Sequence, residues 1–211
     1  MAVVCPTITA YDPHEYRAQV EQVESFAKRI HIDLMDGIFA PNQSPGLDQI
    51  WWPENITADI HLMYERPAVY IDQIIKLKPS LLIMHYESDI DHKKTAERLQ
   101  DHKIKAGLAI LQETPAEEVI PVLSGFDHVL IFSGHLGEHG GIANLDLLQK
   151  VTAVRQSYPD IEISWDGGIN AKNAAELAKS GVNVLNTGGY IQKSADPAKT
   201  YKDLVDLLNR L

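Results

Sequence analysis

Leu81-Leu82-Ile83-Met84-His85 is a short apolar run closed by one polar residue. Residues 93–102 follow with apolar side chains at three- and four-residue intervals, and residues 104–110 are apolar and strand-sized again. Continuous apolarity over five or six residues suits a strand buried on both faces, and the three-to-four spacing suits an amphipathic helix lying on it. Outward from this βα unit the pattern recurs in both directions. Strand-sized runs stand at 3–6, 30–35 and 57–63 on one side and at 128–133, 161–166 and 182–187 on the other, with helical spacing at 13–27, 67–77, 145–157 and 171–180. The eight strand starts lie 21 to 34 residues apart, without the sequence self-similarity of a solenoid. The expectation is an α/β fold, a (β/α)8 TIM barrel forming one domain over residues 1–211.

Punctuation supports the reading. Thr114-Pro115-Ala116-Glu117 has the form of an N-cap, a first-turn proline and early acidic residues, and Ser180-Gly181 that of a helix end before a strand. An open doubly wound sheet is the alternative. It usually carries a glycine-rich turn after its first strand, whereas the turn expected here, Pro6-Thr7-Ile8-Thr9-Ala10, has no glycine. Residues 41–53, rich in Pro, Gly and Trp, are expected to form a loop with at most a short helical piece, and Trp51-Trp52 to serve packing or a subunit contact.

Composition removes several function classes. The 211 residues are 45% hydrophobic and 23% charged, ordinary for a globular chain. No apolar run approaches the roughly 20 residues of a membrane span, so no membrane partner is expected. A net charge of −10 has the wrong sign for nucleic-acid binding, though backbone N–H groups can still hold a small anion. Cys5 is the only cysteine, and the first residues show no export signal, which reads as a cytoplasmic chain.

In a barrel of this kind, chemistry is done at the C-terminal ends of the strands. There the apolar runs carry polar residues: His31-Ile32-Asp33-Leu34-Met35-Asp36, Asp59-Ile60-His61-Leu62-Met63 and Ser164-Trp165-Asp166-Gly167-Gly168. His31 and Asp33 are two apart and so share a face. Singly, each fits a capping or hydrogen-bonded role; jointly, two imidazoles and two carboxylates suit Zn²⁺, Mn²⁺ or Fe²⁺.

The stretch His31-Ile32-Asp33-Leu34-Met35-Asp36-Gly37-Ile38-Phe39-Ala40-Pro41-Asn42 resembles the signature of the ribulose-phosphate 3-epimerase family, and Pro6-Thr7-Ile8, Asp59-Ile60-His61-Leu62-Met63 and Asp166-Gly167-Gly168-Ile169 follow in the family's order. The resemblance implies a metal-dependent enzyme that inverts C3 of a ketose phosphate, D-ribulose 5-phosphate to D-xylulose 5-phosphate, through a cis-enediolate. It makes His31, Asp33, His61 and Asp166 ligands of one divalent ion (Zn, Fe, Mn or Co), and Asp33 and Asp166 the proton-transfer pair. Thr7 replaces a sugar-binding Ser. Met35 and Met63 match pocket methionines, for which core filling is the other reading. Gly167, Gly168, Gly188 and Gly189 are the candidates for a phosphate cradle, although tight turns need such glycines equally. A homodimer or higher homo-oligomer is implied as well.

Departures from the family also stand out. Ser133-Gly134-His135-Leu136-Gly137-Glu138-His139-Gly140-Gly141 and Asn186-Thr187-Gly188-Gly189-Tyr190 differ from the usual phosphate loops, and Glu138 would oppose an anion. Leu111-Gln112, Phe132 and Trp165 stand where the family has Asn-Pro, a third pocket methionine and a smaller residue, which is expected to alter pocket shape. His85 resembles a strand-end histidine supporting the ligands, and His135 with His139, in a glycine-rich loop, fits a flexible or substrate-facing surface more often than a second metal. A hexulose (allulose) 6-phosphate 3-epimerase and a non-catalytic phosphosugar-binding barrel are the alternative functions.

Overall fold

All eight apolar runs become parallel strands of one closed barrel in a computed structural model, which describes residues 2–138 and 140–211. The strands are β1 (Val3–Thr9), β2 (Arg29–Met35), β3 (Thr57–Met63), β4 (Leu81–His85), β5 (Lys105–Ile110), β6 (His128–Phe132), β7 (Glu162–Asp166) and β8 (Val184–Thr187). Each pairs with its sequence neighbour, and β8 returns to pair with β1. The helices are α1 (Pro13–Val23), α2 (Ile71–Leu77), α3 (His92–Asp101), α4 (Ala116–Val119), α5 (Leu148–Ser157), α6 (Ala174–Lys179), α7 (Gly189–Gln192) and α8 (Pro197–Leu208). Between β2 and β3 the expected loop holds only a 3₁₀ turn, Leu47–Gln49. No described helix is long and apolar enough to cross a membrane.

Alternation along each strand separates two environments. Ile30, Ile32 and Leu34 of β2, Ile60 and Leu62 of β3, and Ile163 and Trp165 of β7 point outward into the layer shared with the helices. Each such aliphatic side chain contributes about 2 kcal/mol on leaving water. The intervening residues face the lumen: Leu81 and Ile83 of β4, Ala109 of β5, and Leu130 and Phe132 of β6 form a separate apolar plug. Trp51 stacks edge-on against Tyr16 of α1, whose hydroxyl donates to the Trp51 carbonyl at 2.6 Å, so the packing role expected of this pair is met at Trp51.

Two expectations need correction. Pro6 to Thr9 is strand, not turn: pairing with β8 ends at Pro6, and above it β1 continues against β2 from Thr7 to Thr9. The Gln19 side chain holds the end of the strand, accepting from Thr9 N at 2.9 Å and donating to Thr9 O at 2.8 Å. Thr114 is not the cap of α4, whose N-cap is Pro115; its hydroxyl is drawn to Glu87 instead. The end expected at Ser180-Gly181 is present, Gly181 taking φ +103° just past the last turn of α6.

The bottom of the lumen is charged. Arg29 donates to Asp59 at 2.6 Å and to both oxygens of Glu162 at 2.9 and 2.7 Å, and His128 links Glu162 to Ser164. Breaking a buried pair from one side strands its partners, so Arg29→Met is expected to cost about 3 kcal/mol and lower the melting temperature by about 6–12 °C at pH 7. Burial raises the Glu162 carboxyl, but the hydrogen bonds from Arg29 and His128 outweigh it and hold it well below its ordinary value of 4.5. Its contribution is therefore complete above that pH and is lost as acid protonates Glu162 in the folded chain. Calorimetry of both proteins from pH 3 to 8 checks this; a gap between their midpoints that does not narrow in acid contradicts it.

Candidate active site

His31 and Asp33 of β2, His61 of β3 and Asp166 of β7 meet at the C-terminal mouth of the barrel. One donor atom from each lies within 4.8 Å of all the others. His31 Nε2 is 3.3 Å from Asp33 Oδ1 and 3.6 Å from Asp166 Oδ2, and His61 Nδ1 is 2.9 and 4.0 Å from the same two oxygens. The four belong together because a parallel barrel aligns strand ends in register: Asp33 lies opposite His61 in the β2–β3 ladder. Asp166 comes from a wall three strands away, past β8 and β1.

Supporting contacts orient this group. Thr9 donates its hydroxyl to Asp33 Oδ2 at 2.7 Å, which leaves Oδ1 facing the imidazoles. His61 Nε2 meets His85 Nε2 at 2.8 Å, and His85 Nδ1 lies 3.4 Å from Glu87 Oε2. Burial lowers the His85 pKa to about 4, only partly offset by Glu87, so the ring is neutral. A proton on His85 Nδ1, the nitrogen facing Glu87, would make His85 Nε2 the acceptor from His61 Nε2–H and leave the His61 Nδ1 lone pair for the centre. This is the usual way a second hydrogen bond fixes the tautomer of a ligating histidine.

The two carboxylates are driven apart. Burial raises Asp33, yet the imidazoles of His31 and His61 beside it overcome that and hold its carboxyl well below the usual range. Asp166 is raised, by burial first and by the charge of Asp33 second. His31 is fully buried, and neither of its ring nitrogens has a hydrogen bond. An orphaned imidazole between two carboxylates is costly unless something accepts its lone pair. The donor set, two nitrogens and two charged oxygens, fits a divalent cation of the Zn²⁺, Mn²⁺ or Fe²⁺ kind. Among the described residues this is the one such grouping of three or more. His135 lines the cavity rim, and His139 lies outside the described residues.

A cavity of about 190 Å³ opens above the cluster. Thr7, Met63, Gly167, Gly168, Gly188 and Gly189 line it as expected, together with Asp33, Asp166 and Phe132. Met35 does not: it is buried with Ala40 and Met63 beneath Gly137, in the core-filling role. Met35 shares the lumen face of His31 and Asp33 but stands beside Gly137 rather than on the cavity wall. Trp165 does not shape the pocket either. It points outward, fully buried, and donates Nε1–H to Gly167 O at 3.1 Å, bracing the turn beyond Asp166. Gln112 props the loop after β6, donating to Gly134 O at 3.1 Å.

Gly167 and Gly168 are demanded by more than a ligand. A Cβ on Gly167 would lie 2.3 Å from Gly134 N, and one on Gly168 2.0 Å from Ala143 N. The loop after β6 crosses directly over the turn after β7. Thr9 and Asn186 were missed in the sequence. Thr9 shares the lumen face of Thr7, and Asn186 stands next to the outward-facing Leu185 on β8, so alternation alone could have found both.

The fold and the cluster define a class: a (β/α)8 barrel enzyme with a site at the strand ends able to hold a divalent metal. Residues 3–192 match the model of the ribulose-phosphate 3 epimerase family. The chain belongs to the ribulose-phosphate 3-epimerase family, a family of isomerases. It is 28% identical over 210 residues to the ribulose-phosphate 3-epimerase of Schizosaccharomyces pombe, covering 96% of this chain and 92% of the relative. To that of Helicobacter pylori it is 30% identical over 201 residues, covering 92% of each. Among solved structures, a 3-hexulose-6-phosphate synthase superposes with a TM-score of 0.76 at 18% identity, covering 98% of this chain and 99% of the other. Streptococcus mutans KGPDC superposes with a TM-score of 0.74 at 9% identity, covering 100% of this chain and 98% of the other. At such identities these two carry the fold alone.

Proposed function

We propose that the protein is a metal-dependent 3-epimerase of a ketose phosphate, interconverting D-ribulose 5-phosphate and D-xylulose 5-phosphate. The observation that carries the reading is that Asp33 and Asp166 approach one point from walls three strands apart, with His31 and His61 beside them. Inversion of a carbon centre needs a proton removed on one face and delivered on the other, and carboxylates on opposing walls provide both faces. A divalent cation held by His31, Asp33, His61 and Asp166 would supply Lewis-acid stabilisation of the negative charge that develops on the substrate oxygens. Asp33, oriented by Thr9, takes or returns the C3 proton on one side, and Asp166 serves the other. Met63 and Phe132 give the reacting carbon an apolar wall that keeps water from competing.

The phosphate would sit at the rim, among Gly168, Gly188 and Gly189, which line the cavity. No Lys or Arg lines the cavity among its described residues, so backbone N–H groups are the donors that would meet the anion. A non-catalytic sugar-phosphate binder gains nothing from burying two carboxylates side by side, which opposes that alternative.

The test is exchange in deuterated water with D-ribulose 5-phosphate and, separately, with allulose 6-phosphate. Deuterium is expected at C3 of the pentulose together with appearance of the xylulose epimer, and both are expected to stop on treatment with a chelator and resume with added Mn²⁺ or Zn²⁺. Faster exchange in the hexulose phosphate would move the assignment to that substrate, and no exchange in either would overturn it.

A further inference from the structure

We infer that Asn186 is a specificity-determining residue that hydrogen-bonds the C4 hydroxyl of the sugar phosphate; this rests on the function proposed above. Asn186 faces the lumen on β8 and lines the cavity, yet it is only 2% exposed, and neither its Nδ2 nor its Oδ1 has a hydrogen-bond partner. A buried amide left unpaired on both atoms is expensive, and one aimed into a cavity is waiting for a polar ligand. Its position says which one. Asn186 is the register partner of Asp166, so it stands level with the reacting carbon, and the rim glycines Gly188 and Gly189 follow just past the end of its strand. β8 lies on the arc of wall that joins Asp166 of β7 to Asp33 of β2, so a carbon held between the two carboxylates passes over it. Between C3 at the carboxylates and the phosphate on C5 at the rim lies C4. Its hydroxyl both donates and accepts, matching an amide that does both. Thr7 Oγ1, also buried, unpartnered and on the cavity wall, stands on the neighbouring strand β1.

The test compares D-ribulose 5-phosphate with its 4-deoxy analogue in the metal-loaded native protein and in Asn186→Val. Leaving a buried polar group unpaired reduces turnover by roughly 10- to 100-fold, so the native protein is expected to prefer the hydroxylated sugar by that factor in kcat/KM. Asn186→Val is expected to lose that preference, by slowing on the hydroxylated substrate while handling the deoxy analogue within about threefold of the native protein. Preservation of the preference in Asn186→Val overturns the inference, as does an equal loss on both substrates. Asn186→Ser, which keeps a hydroxyl and adds no bulk, is expected to recover part of the preference and serves if the valine variant does not fold. Equilibrium binding of both sugars reads the same ratio without turnover. Absent C3 exchange with a preserved binding preference would sink the epimerase reading alone, whereas exchange without any preference would sink the role of Asn186 alone.

Discussion

Asp166→Asn is expected to lower the rate of C3 inversion by at least 10³-fold while the metal-free protein melts at a higher temperature than the native one. The two halves have one cause. Burial, and then the charge of Asp33, raise the Asp166 carboxyl in the folded chain, so at neutral pH the fold bears part of the cost of ionising it. A group whose folded pKa is raised favours folding below its unfolded pKa and opposes it above. Asparagine keeps the shape and removes the charge, which relieves the repulsion with Asp33 and stabilises the fold at pH 7 and above. The same exchange removes a proton carrier that general acid–base catalysis values at 10²–10⁴-fold, and a metal donor besides. Because Asp33 remains, slow exchange of the C3 proton should persist for one epimer without inversion, and Asp33→Asn should show the complementary epimer. Proton NMR in deuterated water with each epimer, alongside calorimetry of the chelated proteins, measures all of this. Inversion within tenfold of native in either variant contradicts the two-carboxylate assignment.

The legible parts of the chain are those where one physical constraint acts. Strands of a parallel barrel are buried on both faces, so the apolar stretches 81–84 of β4 and 129–132 of β6 can be read directly, and polar residues intruding at the ends of β2, β3 and β7 mark the site. Reading fails where two constraints compete. Pro6 signals a break, but pairing with β8 stops at that residue while β2 and the Gln19 side chain hold the upper half of β1. Thr114 has cap chemistry but finds a stronger partner in Glu87, itself directed at His85. Met35 shows the limit of alternation. It orders residues by face, whereas depth along the strand and the path of the loop after β6 depend on contacts between segments far apart in sequence. Asn186 escapes notice because its neighbours Gly188 and Gly189 draw the phosphate argument, and its missing partners are visible only in three dimensions.

That loop crossing sets the second large effect: Gly168→Ala is expected to cost about 2–4 kcal/mol and to reduce kcat/KM by at least 100-fold, mostly through KM. Gly168 has φ +70°, and its new Cβ would sit 2.0 Å from Ala143 N and 2.4 Å from Ile142 C. These are backbone atoms, so no side-chain rotation clears them, and the segment after Phe132 must lift or the turn after Asp166 must unwind. Either movement displaces wall on both sides of the cavity rim, where Gly140 stands against Gly189. Gly125 separates this cause from backbone strain alone, since it has φ +94° with nothing within 4 Å of where a Cβ would stand and lies away from the cavity. Gly125→Ala should therefore cost only about 1–2 kcal/mol, the penalty of a left-handed conformation, with kinetics unchanged. Denaturant unfolding and steady-state kinetics on both variants decide the matter. Equal stability losses would mean that the loop after β6 yields freely to the turn beneath it. A fall in kcat with KM preserved would mean that the rim glycines do not carry the phosphate, because a group held there contributes binding before it contributes rate.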